Sequence, residues 1–260
     1  METDIWIWHF ARETLTRLTF DPANDTRQAW TPDGLQVAFA SDRDGVLSTF
    51  WKAADGTGAV ERLIESANAS LPLTFSPDGT QLVFLELHPE TGRDLRVRSM
   101  DADGASEPLL VTEFDETNAE ISPDGHWLAY QTDASGQQEI YVRPFPNVEQ
   151  GQWLISRGGG TKPLWGPDGR ELFYLSLGGQ LTAVPIEADG SFTFGNPEVV
   201  FEQTYFTGSP VRGHNYDISP DGKRFLMIKE GDPGGETEPT QLILVQNWFE
   251  ELKRLVPTDN

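Results

Sequence analysis

Ser76-Pro77-Asp78-Gly79 is one of five closely similar phrases that decide the fold of this chain. The other four are Thr31–Gly34, Ser122–Gly125, Gly166–Gly169 and Ser219–Gly222. Their prolines lie 45, 46, 44 and 53 residues apart, and so regular a period indicates a repeat architecture. Pro sets φ for the second position of a type I turn, Asp suits the third, and Gly tolerates the left-handed conformation that follows. Each phrase therefore predicts a hairpin turn.

Each turn is followed by a segment that is apolar on both faces of a β-strand. Val37-Ala38-Phe39 follows the first turn and Leu82-Val83-Phe84 the second, and the other repeats keep this pattern. A strand with one face in water would alternate apolar and polar residues instead. Strands buried on both faces, in four-stranded units that repeat, predict an all-β chain folded as a β-propeller of stacked blades.

The number of blades follows from the spacing of the repeats. We expect a single domain over 1–260, with repeats near 27–64, 71–112, 118–156, 162–201 and 214–256 and a partial repeat over 5–20. This arrangement predicts five complete blades plus an incomplete sixth, left by truncation at Met1. In the alternative, Leu252–Val256 is not a strand and the N-terminal segment completes the last blade.

The phrase at Thr31–Gly45 and the stretch Ile121–Val142 resemble the TolB-type, WD40-like β-propeller repeat. The fourth unit departs from it, with Gly166 in place of Ser. The resemblance implies a fold rather than an activity, since the repeat occurs in the Tol-system periplasmic protein, in prolyl-oligopeptidase-like peptidases and in bacterial sensors and kinases. The tail Val245–Pro257 is similar to the end of propellers fused to bacterial serine/threonine kinases or winged-helix regulators, which implies the C-terminal propeller of a kinase or sensor protein.

Composition excludes several classes of function. The chain has 41 acidic and 19 basic residues, a formal charge of −22, whereas nucleic acids and anionic membranes require a basic surface. Without cysteine there are no disulfides or thiolates. No apolar run reaches the roughly 20 residues of a membrane span, and no signal peptide is visible at the start. We therefore expect a soluble bacterial chain, periplasmic or cytoplasmic, whose strand-like start at Ile5 indicates a fragment of a longer protein.

Catalytic and metal motifs are absent from the sequence. The five turn aspartates occupy equivalent positions of the repeat, so they cannot converge on one site. The loop that contains Asp42 and Asp44 resembles part of a calcium loop, but it lacks the third ligand and the final Glu of an EF-hand. There is no Gly-x-Ser-x-Gly elbow and no His-x-x-x-His pair. We predict no enzymatic activity, no metal and no cofactor.

Loops that enter the first strands, and loops between second and third strands, share one face of a propeller. We expect this polar rim to bind a protein, a peptide or a small polar ligand around the channel. The predicted binding residues are Arg27, Asp42, Arg43, Asn118, Lys162, Arg212 and His214. The sequence thus favours a non-enzymatic interaction or scaffold module, the sensor or protein-binding part of a larger protein. The alternative is the propeller domain of a prolyl-oligopeptidase-like hydrolase, or a propeller enzyme that acts at the channel mouth.

Overall fold

The structure, a computed structural model, describes residues 3–101, 104–188, 191–206, 208–209, 213–229 and 241–246, with the backbone alone for 202–204, 229 and 241–246. The chain divides into two compact units, with the boundary between Ile121 and Ser122. The regular structure of the described residues is β-strand, apart from one turn of 3-10 helix at Val148–Gln150.

The first unit is built from antiparallel sheets. Its strands are β1 (Trp6–His9), β2 (Thr14–Arg17), β3 (Asp25–Trp30), β4 (Gln36–Ser41), β5 (Ser48–Ala53), β6 (Glu61–Arg62), β7 (Ala69–Phe75), β8 (Gln81–His88), β9 (Gly92–Ser99), β10 (Ser106–Leu110) and β11 (Glu116–Ile121). β1 and β2 form a hairpin, while β3–β6 and β7–β10 each form a four-stranded sheet in chain order. β11 lies against β7, β8 and β9.

The sheets of the first unit stack through apolar side chains. Ala38 from β4 and Leu63, just after β6, pack against Phe75 of β7 and against Leu82 and Phe84 of β8. β4 and β8 are buried along nearly their whole length, as their apolar sequences predict. Burial on both faces requires a neighbouring sheet on each side, which is the arrangement of propeller blades.

The second unit repeats the same construction. Its strands are β12 (Trp127–Thr132), β13 (Glu139–Pro144), β14 (Trp153–Leu154), β15 (Thr161–Trp165), β16 (Glu171–Leu175), β17 (Gln180–Glu187), β18 (Thr193–Phe194), β19 (Glu198–Thr204), β20 (Tyr216–Ile218), β21 (Arg224–Lys229) and β22 (Gln241–Gln246). β12–β14, β15–β17 and β20–β22 pair antiparallel in chain order. Phe173 of β16 packs edge-on against Phe225 of β21, with ring centroids 5.0 Å apart, and joins two of these sheets.

The fourth strand of the 162–201 repeat differs from the predicted single strand at its end. β18 pairs with the last residues of β17, and β19 pairs with the first part of β17. Gly195-Asn196-Pro197 separates the two strands, and Pro197 has no backbone N–H to donate to a ladder. Two short strands therefore occupy the outer edge where one was expected.

The five repeated phrases form the predicted turns. In the phrase at Ser76, the Gly79 N–H donates to the Ser76 carbonyl at 2.8 Å, and Gly79 has φ of 71°. The Asp78 carboxylate accepts from the Ser76 hydroxyl at 2.6 Å and from the Thr80 N–H at 3.0 Å. The backbone bond and the positive φ recur in the other four phrases. The turn aspartates therefore hold their own turns together, as predicted.

The predicted fold class is confirmed: the chain is all-β, and its four-stranded antiparallel sheets are those of a β-propeller. The single domain over 1–260 and the bounds of the repeats stay predictions. The segment Leu252–Val256, on which the alternative blade count depends, lies outside the described residues.

Candidate binding site

Three predicted binding residues occupy one equivalent position of the repeat, five residues before the turn proline. Arg27 in β3, Asn118 in β11 and Lys162 in β15 have φ of 54°, 47° and 57°. The pairing of β3 with β4 shifts between Thr26 and Ala29, and the pairing of β15 with β16 shifts at the corresponding place, so the first strand bulges there. Left-handed backbone at a residue other than Gly costs about 1–3 kcal/mol and persists only where the surroundings impose it.

Arg27 is a half-buried cation in the first unit. Its Nη1 and Nη2 atoms are hidden from solvent and have no hydrogen-bond partner among the described residues. Burial, and then repulsion from Arg93, lower the pKa of Arg27 to about 10. The guanidinium is therefore held where its charge is poorly solvated and faces a second positive charge.

Arg93, whose positive charge acts on Arg27, forms an ion pair with Asp115. Arg93 is near the start of β9, and its Nη1 lies 2.5 Å from Oδ2 of Asp115, one residue before β11. The backbone N–H of Arg93 also donates to Asp115, at 3.3 Å. Gly92 has φ of 95°, and a Cβ there would lie 3.1 Å from Asp115 Oδ1, so the close approach requires glycine.

Arg93 and Asp115 remain about one-third exposed, at 35% and 31% of their side-chain surface. Arg27 and Asn118 belong to the first strands β3 and β11, Arg93 is the second residue of β9, and Asp115 directly precedes β11. We refer to Arg27, Arg93, Asp115 and Asn118 as the unit 1 polar site. Arg93 and Asp115 belong to the predicted polar rim, but their residue types alone did not distinguish them from other loop charges.

Asp42 and Arg43, also predicted to bind a ligand, tie neighbouring loops together. Asp42 accepts hydrogen bonds from the backbone and side-chain amides of Asn24, at 2.8 and 2.7 Å, and these bonds lower its pKa. Arg43 donates to both carboxylate oxygens of the buried Asp25 at 3.2 Å and lies over the Phe50 ring. The loop before β3 and the loop after β4 therefore meet at one end of the sheet, as expected, while the binding role of Asp42 and Arg43 stays a prediction.

In the second unit, Lys162 and His214 are held by the chain itself. Lys162 is 1% exposed, and its backbone N–H donates to Gln131 Oε1 at 3.1 Å. The Tyr216 hydroxyl donates to the Lys162 carbonyl at 2.7 Å, and Nε2 of His214 lies 2.7 Å from the Pro163 carbonyl oxygen. Arg212, the seventh predicted residue, lies outside the described residues.

Glu171 is a group that the sequence prediction missed. It lines a cavity of about 260 Å³ in the second unit together with Asp168 and Asp221. Burial, and then the negative charge of Asp168, raise the pKa of Glu171 to about 7. The equivalent positions of the other repeats hold Gln36, Gln81, Trp127 and Arg224, so the repeat alignment does single out Glu171 as an acid next to a turn aspartate.

In the part of the chain that the structure describes, no group of three or more acidic or histidine side chains is arranged to hold a metal ion. No helix among those residues is both long enough and apolar enough to cross a membrane.

The sequence profile of the TolB β-propeller domain matches residues 1–142, which is more than half of the chain. The chain belongs to the TolB β-propeller domain family. The TolB homologue of Chlorobium luteolum is 28% identical over 176 residues, covering 64% of this chain and 34% of that protein. This TolB-family chain spans less than half the length of the curated relatives it matches.

Solved structures agree on the fold. The putative TolB of Agrobacterium tumefaciens superposes with a TM-score of 0.66 at 19% identity, covering 81% of this chain and 76% of that one. A puromycin-hydrolyzing peptidase of Mycobacterium tuberculosis gives a TM-score of 0.60 at 16% identity, covering 90% of this chain and 39% of that one. At these identities the likeness concerns the fold alone. The same fold occurs in a TolB protein and in a peptidase.

Proposed function

We propose that this TolB-family chain is a non-catalytic β-propeller module that binds a protein partner, through an exposed peptide segment, at the unit 1 polar site. The observation that carries the proposal is the strained and half-buried Arg27, whose charge interacts with that of Arg93 in the partly exposed Arg93–Asp115 ion pair. Strain and poorly solvated charge are expected at functional sites, where the surroundings offset their cost.

The chemistry of the unit 1 polar site suits recognition better than turnover. Guanidinium, carboxylate and carboxamide groups supply hydrogen-bond donors and acceptors of both kinds, in the mixture that fixes the register of an extended peptide. They lie within or directly beside paired strands, so a partner meets a largely rigid surface. A rigid site binds with a smaller loss of conformational entropy than a mobile loop.

The test is a peptide selection. A random peptide library displayed on phage is panned against the immobilised chain, and the enriched peptides are titrated by calorimetry. We expect Arg93→Gln to weaken the enriched peptides by about tenfold or more, the scale of one charged hydrogen bond. Arg17→Gln is the matched control, because Arg17 forms a partly exposed 2.7 Å ion pair with Asp4 elsewhere in the first unit. Equal binding by wild type and Arg93→Gln would contradict the proposed site.

A hydrolase is the second candidate, because one structural relative is a peptidase. It predicts turnover of chromogenic ester or aminopeptidase substrates by the chain, above the rate with heat-denatured protein. We expect no turnover, with or without chelator. Sustained hydrolysis that co-purifies with the chain would exclude the non-catalytic proposal.

A further inference from the structure

We propose that Arg27, backed by Arg93, is the receptor for a single carboxylate group of the partner peptide. The inference deepens the proposed function, since it names the chemical group that the unit 1 polar site recognises. It rests on the proposed function for the peptide, while the carboxylate chemistry rests on the side chains themselves.

Arg27 has buried hydrogen-bond donors that the described residues leave unused. A guanidinium carries five N–H donors, and leaving buried donors of a charged group unmade is costly. Nη1 and Nη2 of Arg27 are hidden from solvent without a hydrogen-bond partner among the described residues. Arg43 differs, because its Nη2 donates to both carboxylate oxygens of Asp25 at 3.2 Å. Arg27 therefore presents an unused fork of donors.

The charges of Arg27, Arg93 and Asp115 favour an anionic ligand. Arg27 feels the positive charge of Arg93, and Asp115 is the carboxylate that pairs with Arg93. Counted by themselves, the two guanidinium groups and the one carboxylate of these three residues carry a net charge of +1, on a chain whose formal charge is −22. One monovalent anion balances that excess, whereas a doubly charged phosphate would reverse it.

The backbone of β3 at Arg27 and the shape of its guanidinium also favour a carboxylate. Arg27 leaves β3 from a left-handed bulge, which fixes the direction of its side chain differently from that of a regular strand residue. The Arg93–Asp115 pair is about one-third exposed, and the charge of Arg93 acts on Arg27, so a ligand that binds Arg27 is expected to displace or flank this pair. The planar fork of a guanidinium matches the two oxygens of a carboxylate in a bidentate contact. Charge and shape both favour a carboxylate.

The experiment compares the full chain with Arg27→Met, which keeps the length of the side chain and removes its charge, and with Arg17→Met as the matched control. The probes are N-acetylglycine, which mimics a peptide C-terminus, and N-acetylglutamate α-amide, which mimics an acidic side chain. N-acetylglycinamide is the neutral probe. Binding is measured by calorimetry and by the shift in Tm, with the ionic strength held constant by sodium chloride.

We expect a carboxylate probe to raise the Tm of wild type and of Arg17→Met, and to bind Arg27→Met at least about tenfold more weakly. Whichever of the two probes binds better identifies the source of the carboxylate. Without a probe, Arg27→Met should melt at the same temperature as wild type or higher, because it removes an unpaired buried charge. Arg27→Gly, which suits the positive φ, repeats the comparison if Arg27→Met does not fold.

Equal carboxylate binding by wild type and Arg27→Met would overturn the proposal, and so would an equal Tm shift with the neutral amide. These outcomes leave the peptide selection untouched. If the enriched peptides bind through Arg93 while carboxylate probes ignore Arg27, the proposed function stands and the carboxylate inference fails.

Discussion

Gly166 occupies the place where the other four turn phrases have serine or threonine. In those turns the hydroxyl donates to the turn aspartate, as Ser76 does to Asp78 at 2.6 Å. Asp168 keeps the backbone bond, from the Arg170 N–H at 3.0 Å, but glycine offers no hydroxyl. This turn therefore has one hydrogen-bond donor fewer than its equivalents.

Gly166→Ser should stabilise the chain by about 0.5–1.5 kcal/mol, the usual contribution of one hydrogen bond together with the lower entropy of the unfolded chain. A Cβ at Gly166 would meet its nearest atom, the Glu171 carbonyl oxygen, at 3.4 Å, so the side chain fits. Urea denaturation measures the change. Ser76→Gly is the reciprocal control and should lose a similar amount. A destabilised Gly166→Ser would show that the hydroxyl cannot reach Asp168.

Glu171 makes the stability of the chain depend on pH. Its pKa rises from an ordinary value of 4.5 to about 7 on folding, so the folded state binds more protons than the unfolded state between these values. Stability contributed by this group is therefore present below pH 4.5 and is lost as the pH rises to about 7. Desolvation also raises the pKa of Asp217, which acts in the same direction.

Glu171→Gln should be more stable than wild type at pH 8 by about 1 kcal/mol, after discounting for the partial exposure of the side chain. The difference should vanish about one unit below the ordinary pKa of 4.5, where Glu171 is protonated in both the folded and the unfolded state. Denaturation by urea at a series of pH values gives the curve. A difference that is the same at pH 4.5 and pH 8 would mean that packing, not charge, distinguishes the two proteins.

The second strand of each repeat is the element on which the stacking of the sheets depends. In β8, Leu82 and Phe84 are 0% and 1% exposed and pack against Ala38 and Phe75. We expect Phe84→Ala to destabilise the chain by about 3–5 kcal/mol, since it leaves a cavity between two sheets. Phe10→Ala is the control, because Phe10 is 70% exposed and its loss should cost less than about 0.5 kcal/mol. Denaturant unfolding followed by circular dichroism compares them.

Some of these elements could be predicted from local sequence patterns, and others could not. The turns and the apolar second strands were predicted because Pro-Asp-Gly and a run such as Val37–Ala40 encode local geometry directly. The bulge at Arg27 could not be predicted, since an arginine with positive φ is imposed by its neighbours and not by its own preference. The pairing of Arg93 with Asp115 joins residues 22 positions apart in the chain, and no local pattern announces it.

For the whole molecule, the formal charge of −22 is the dominant long-range term. Repulsion between like charges destabilises a compact state, and salt screens it over about 10 Å at 0.1 M. Raising sodium chloride from 20 to 300 mM should therefore raise Tm by about 2–5 °C. Arg27→Met should show the same increment, which separates general screening from chloride bound at Arg27. A Tm that falls with salt would indicate that attractive ion pairs dominate instead.

Trp127 and Trp153 of the second unit have ring centroids 5.6 Å apart and nearly perpendicular planes, at 78°. Phe192 lies between 4.7 and 4.9 Å from both rings. Aromatic side chains packed in this way contribute a near-UV circular dichroism signal that is lost when the specific packing is lost. In the first unit, Trp6 and Trp8 are about half exposed, so their fluorescence comes from a more solvated environment. The chain thus carries built-in optical reporters by which the melting of each half can be followed without a label.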